Sequence, residues 1–80
     1  MTKQLRTTRH KALMAVLAEE LERAGLTQRE LASRLKRAHS FVGKIESGER
    51  QLNVLEFCEY AEALGVAAPD LIRRITAARS

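Results

Sequence analysis

One helix-start signal is written twice in this chain. Leu26-Thr-Gln-Arg-Glu-Leu31 and Leu52-Asn-Val-Leu-Glu-Phe57 share a plan: an apolar residue, a capping Thr or Asn, a Glu three residues past the cap, then a second apolar residue. In each, the cap side chain and the Glu side chain can satisfy one another's backbone N–H groups, and the apolar pair closes over the turn. Glycines at 25, 48 and 65 supply stops of equal clarity. Starts and stops this close together leave room for short helices and little else.

The apolar spacing fills in the elements between those marks. Leu13, Val16, Leu17 and Leu21 give a first helix from about Thr8 to Ala24. The second, Gln28 to Leu35, turns Leu31, Ala32 and Leu35 inward. The third, about His39 to Ser47, buries Val42 and Ile45. The fourth follows Asn53 and is expected to bury Val54, Phe57, Ala61 and Leu64. Pro69 suits a first helical position, and Leu71, Ile72 and Ile75 give a fifth helix its apolar side. Residues 1–7 carry no stripe and are expected to be a flexible basic arm, with one domain over 8–80. There is no internal repeat, no low-complexity segment and no strand-like alternation. The fold class is therefore all-α, a five-helix bundle of 80 residues with an aliphatic core, since only three residues are aromatic.

Several functional classes drop out. No apolar run is long enough to span a bilayer, so no membrane association is expected. There is no signal-peptide core, and the single cysteine, Cys58, cannot form an internal disulfide, so a cytoplasmic setting is expected. The formal net charge is +4, and its placement matters more than its size. Lys3, Arg6, Arg9 and Lys11 precede any acid, while residues 53–64 hold Glu56, Glu59 and Glu62 and no base. A cationic end opposite an anionic face suits a polyanionic partner approached from one side.

The stretch RAHSFVGKIESG, residues 37–48, says which partner. With Val42 and Ile45 inward, Ser40, Gly43, Lys44 and Ser47 form the opposite face, flanked by His39 and Phe41. Three of those four have little or no side chain, so the helix backbone can come close to something. Lys44 and the helix N-terminus offer it positive charge. A DNA major groove admits one helix and has phosphates on both rims.

Leu26-Thr-Gln-x-x-Leu-Ala-x-x-Leu35, Ser40-Phe-Val-x-Lys-Ile-Glu-x-Gly-Glu-Arg50 and Ala61-x-Ala-Leu-Gly-Val66, in that order, resemble the Cro/lambda-repressor type of helix-turn-helix domain, the Xre-type regulators. The resemblance covers about residues 10–75. It implies a lambda-repressor-like bundle whose second and third helices form the helix-turn-helix at about 27–47, with the third helix reading the major groove. It implies that Gln28 holds a phosphate, that His39, Ser40, Gly43 and Lys44 occupy base-reading positions, and that Ser47 and Arg50 lie where phosphate contacts follow. Arg37, which opens the stretch, completes the expected DNA-binding set. The sequence departs from the pattern at Lys36, where the family carries Gly and a positive φ costs a side chain about 1 kcal/mol. It departs at Ala38, where a capping Ser or Thr is common, and at His39, which cannot make the bidentate amide contact to adenine.

Other chemistry is weak here. Glu46 lies on the inward side of the third helix, where a carboxylate most often holds structure through an Arg or backbone N–H groups. His39, Ser40 and Glu46 have the residue types of a triad but point in different directions. His10, His39 and Cys58 lack metal-ligand spacing. Neither a catalytic residue, a metal nor a cofactor is expected, so the chain is not expected to be an enzyme. Cys58 is expected to pack in the core, and Arg73 and Arg74 to form a solvated face. Phe41 has two readings, contact with a thymine methyl or packing against the second helix. Leu55, Leu71, Ile72 and Ile75 are more apolar surface than a lone bundle this small buries easily. They are either scattered surface residues or a homodimer interface for paired half-sites. The expectation is thus a dimeric repressor on a double-stranded DNA operator. The alternative is an antitoxin-like DNA-binding subunit that also binds a partner protein.

Overall fold

Both capping boxes close. The computed structural model describes residues 7–78. In it α2 (Gln28–Leu35) starts where the Thr27 N–H donates to Glu30 Oε1 at 2.8 Å and the Glu30 N–H returns to Thr27 Oγ1 at 3.0 Å. α4 (Val54–Leu64) starts on the same device, with Asn53 and Glu56 joined at 3.0 and 2.8 Å. α1 (Thr8–Ala24) is capped by Thr7, whose hydroxyl accepts the His10 N–H. Thr7 is the last residue assigned to the basic arm; residues 1–6 lie outside the described residues. α3 (Ser40–Ser47) starts after His39 with no side-chain cap. α5 (Ala68–Thr76) starts after Ala67, with Pro69 in its first turn.

Four helices end alike. After each, one residue turns left-handed, and its N–H and the next fold back on the last turn. Gly25 and Leu26 do this after α1, Gly48 and Glu49 after α3, Gly65 and Val66 after α4. After α2 the same motif is made by Lys36 and Arg37, with Lys36 at φ 58°. The turn thus keeps its geometry without its glycine. Gly48 is constrained twice over: φ is 85°, and a Cβ there would lie 2.8 Å from Met14 Sδ.

α1 packs on α3, α4 and α5; α2 packs on α3 and α4. The enclosed core takes Val16, Leu17 and Leu21 from α1, Leu31 and Ala32 from α2, and Phe41, Val42 and Ile45 from α3. Phe57, Tyr60, Ala61 and Leu64 come from α4, and Leu71 from α5. Leu13, Leu35 and Ile75 pack partly buried against it.

Four expectations are corrected. Val54 is 76% exposed and Cys58 is exposed, so neither belongs to the core. The cause is Tyr60, fully buried and absent from the expected stripe. Including it rotates the centre of the α4 stripe away from Val54 and Cys58, which lie on the opposite flank. Leu71 is 1% exposed and fills the core, so it is unavailable to a second subunit. Arg74 is not merely solvated. It donates to Glu20, a carboxylate only 3% exposed, at 2.6 Å and also pairs with Glu19, fastening α5 to α1. Arg73, paired with Asp70 on its own helix, fits the solvated reading. Arg9, counted in the cationic end, donates to the Thr76 and Ala78 carbonyls and so closes the C-terminus of α5.

Candidate nucleic-acid interface

The orientation of α3 is set from behind. Val42 and Ile45 are fully buried, which turns Ser40, Lys44 and Ser47 outward together with His39 at the N-cap. α3 begins without a side-chain cap, so N–H groups in its first turn remain available to water or an anion. Among the described residues no ion pair engages Lys44. The Ser47 hydroxyl turns back on its own helix end, 3.2 Å from both the Lys44 carbonyl and the Glu49 carboxylate.

Gly43 sits lower on this face than the helical wheel suggests. It is half-buried because the Gln28 side chain crosses it: a Cβ on Gly43 would meet Gln28 Oε1 at 3.3 Å. Gln28 Nε2 donates to Glu46 Oε1 at 2.9 Å. The partner of Glu46 is thus neither an Arg nor a backbone group but the glutamine expected to hold a phosphate. Glu46 Oε2 is buried without a protein hydrogen bond, as is the Tyr60 hydroxyl. Burial, reinforced by the Glu46 charge, pushes the Tyr60 hydroxyl well above its ordinary pKa, so it stays neutral.

The flank of α3 carries an arrangement the sequence does not announce. The Phe41 ring is buried, with the Arg37 guanidinium at 4.7 Å from its centroid and the Arg50 guanidinium at 4.8 Å. Both cations converge on Glu56. Arg50 binds its carboxylate in a two-bond fork at 3.0 and 2.9 Å, and Arg37 adds a bond of 3.1 Å. With the Asn53 N–H, that carboxylate accepts from three residues. The Arg50 hydrogen bonds, then the Asn53 backbone bond, lower the Glu56 pKa to about 2. Phe41 is therefore a packed residue, which decides between its two readings. Sequence reasoning identified Glu56 as a cap and missed its ion pairs. Its neighbours Arg37 and Arg50 reach it only once the turn after α2 and the loop after α3 are folded.

All eight expected DNA-binding residues lie on α3 or beside it, at the start of α2, in the α2–α3 turn or in the loop that follows. The expected dimer residues do not stay together. Leu71 is core, whereas Leu55 (75% exposed) and Ile72 (46%) face outward. An apolar groove of about 610 Å³ runs between α1, α4 and α5, lined among others by Leu13, Leu52, Val54, Phe57, Ile72 and Ile75.

The geometry is that of a helix-turn-helix, and comparison places it in a family. The model of the family described as Helix-turn-helix matches residues 17–71. A solved XRE-family like protein from Pseudomonas syringae pv. tomato str. DC3000 is 41% identical, with a TM-score of 0.85 over 95% of this chain and 93% of that one. The clp gene regulator ClgR from C. glutamicum, 24% identical, shares the fold at a TM-score of 0.77 over 89% and 91% of the two chains. No curated protein sequence matches the chain. The chain belongs to the XRE-type helix-turn-helix family.

Proposed function

We propose that this chain is a sequence-specific, double-stranded DNA-binding transcriptional regulator, a repressor that acts as a homodimer on paired half-sites with α3 in the major groove. The observation that carries this reading is the exposed, small and basic face of α3, held out by the fully buried Val42 and Ile45. Its family membership and the neighbouring cations Arg37 and Arg50 support it. His39, Ser40 and Lys44 are the base readers in this reading. Gln28, Arg37, Ser47 and Arg50 serve the backbone. Arg37 and Arg50 keep their guanidinium planes fixed by Phe41 and Glu56, so less freedom is lost when phosphate binds. Among the described residues no helix is long and apolar enough to cross a membrane.

The dimer surface in this reading is the groove between α1, α4 and α5, to which the exposed Val54 and Ile72 contribute. A second copy is the chosen occupant because exposed apolar knobs stand beside an apolar groove, as a self-complementary two-fold contact requires. A different protein on the same groove would make the chain the antitoxin-like subunit. Copurification with such a protein, together with a monomeric pure chain, would favour that reading.

The test is selection of duplexes from a random DNA pool at stated salt. If each protomer neutralises about four phosphates, log K against log salt has a slope of about −7. Lys44→Ala costs about 1–3 kcal/mol on the selected duplex and relaxes preference at one base step. A slope shallower than about −2, with no enriched sequence, would sink the proposal.

A further inference from the structure

Gln28 is the first residue of α2, and its side chain is not free. One Nε2 proton is held by Glu46 Oε1 at 2.9 Å, and Oε1 lies where a Cβ on Gly43 would approach to 3.3 Å. The amide therefore bridges the start of α2 and the end of α3, lying across the one residue of α3 that has no side chain. An amide can sit either way round, but a carboxylate only accepts. Glu46 thus fixes the orientation of the amide, with Nε2 toward the carboxylate and Oε1 over Gly43, and leaves one Nε2 proton to be donated elsewhere. A carboxylate this near a DNA-facing surface repels phosphate, so its presence there calls for a compensating role.

We propose that Glu46 is a positioning residue for DNA binding, orienting the Gln28 amide across Gly43 so that its remaining N–H meets a backbone phosphate. This deepens the DNA-binding reading above and rests on it. Glu46 acts through Gln28 and touches no base. Gly43 is small in order to seat Gln28, as well as to admit the groove.

The test is a double-mutant cycle on two duplexes: one selected by the protein itself, and a scrambled duplex of equal length. Affinities are measured at one salt concentration for the parent, Gln28→Ala, Glu46→Gln, Glu46→Ala and both doubles. Glu46→Gln preserves size and guards against a folding defect in Glu46→Ala; thermal unfolding checks both. In the Gln28→Ala background, removing the carboxylate strengthens binding, because only repulsion is lost. In the parental background that gain is smaller or reversed, a coupling of about two- to tenfold. The coupling is equal on both duplexes, because phosphates carry no sequence information. Equal effects of Glu46 substitution in both backgrounds overturn the proposal, as does a coupling confined to the selected duplex, which would make Gln28 a base reader. A parent protein that binds neither duplex removes the DNA-binding reading and this proposal together.

Discussion

Lys36 and Glu56 show how much single residues decide. Lys36 holds a left-handed backbone at φ 58° in a position that suits glycine. Lys36→Gly relieves that strain and gives back part of it as unfolded-chain freedom. The expected net stabilisation is about 0.5–1 kcal/mol, read as a higher denaturation midpoint with an unchanged denaturant slope. Glu56 gives the stability an acid limb. Its carboxyl pKa falls from 4.5 to about 2 on folding, chiefly through the Arg50 hydrogen bonds and then the Asn53 N–H. A depressed acid stabilises the fold above its unfolded pKa, and this contribution disappears as pH drops through the folded value. The window is therefore from about pH 4.5 down to about 2. Glu56→Gln should flatten stability against pH across that window, measured by denaturant unfolding at a series of pH values. An unchanged acid limb would show that Glu56 is not its source.

At the scale of the element, α3 is defined by two faces one residue apart. Val42→Glu places a charge where exposure is 0%. The expected cost is about 3 kcal/mol or more, enough to unfold much of a domain this small. Gly43→Glu meets only the far end of the Gln28 side chain, which can move. Its helical circular dichroism should stay close to the parental spectrum while DNA binding disappears, by bulk and negative charge at the closest approach. A folded, DNA-binding Val42→Glu protein beside an unfolded Gly43→Glu protein would mean that the helix faces the other way. The capping boxes, the stops and this facing were legible in the sequence because each depends on residues within about one or two helical turns. The Gln28–Glu46 bridge and the Arg37–Glu56–Arg50 cluster join residues 18, 19 and 6 positions apart, and no local pattern marks them.

For the whole molecule, α5 separates core from exposed apolar surface, and the proposed two-fold contact depends on that separation. Leu71 and Ile72 are neighbours in sequence, yet one is buried in this chain's own core and the other lines the open groove. Ile72→Asp should leave helical content intact and convert a dimer to a monomer in sedimentation. Leu71→Asp should unfold the domain, because the carboxylate would have no partner in the core. If Ile72→Asp sediments like a dimeric parent, the two-fold contact lies elsewhere.

The sequence alone determined the five helices, most of their starts and stops, the aliphatic inward residues of α1, α2 and α3, and the outward Ser40, Lys44 and Ser47 on α3. Periodicity and capping act over short distances and are written in adjacent residues. Tertiary packing decided the rest. Tyr60 turned the α4 stripe and put Val54 and Cys58 in solvent. Closure of α5 on α1 gave Glu20 its Arg74 and took Leu71 into the core. The cations around Phe41 found Glu56, and Gln28 found Glu46, only when separate helices met. A buried charge or an orienting hydrogen bond needs a partner in space, and sequence distance does not say which partner the fold will bring.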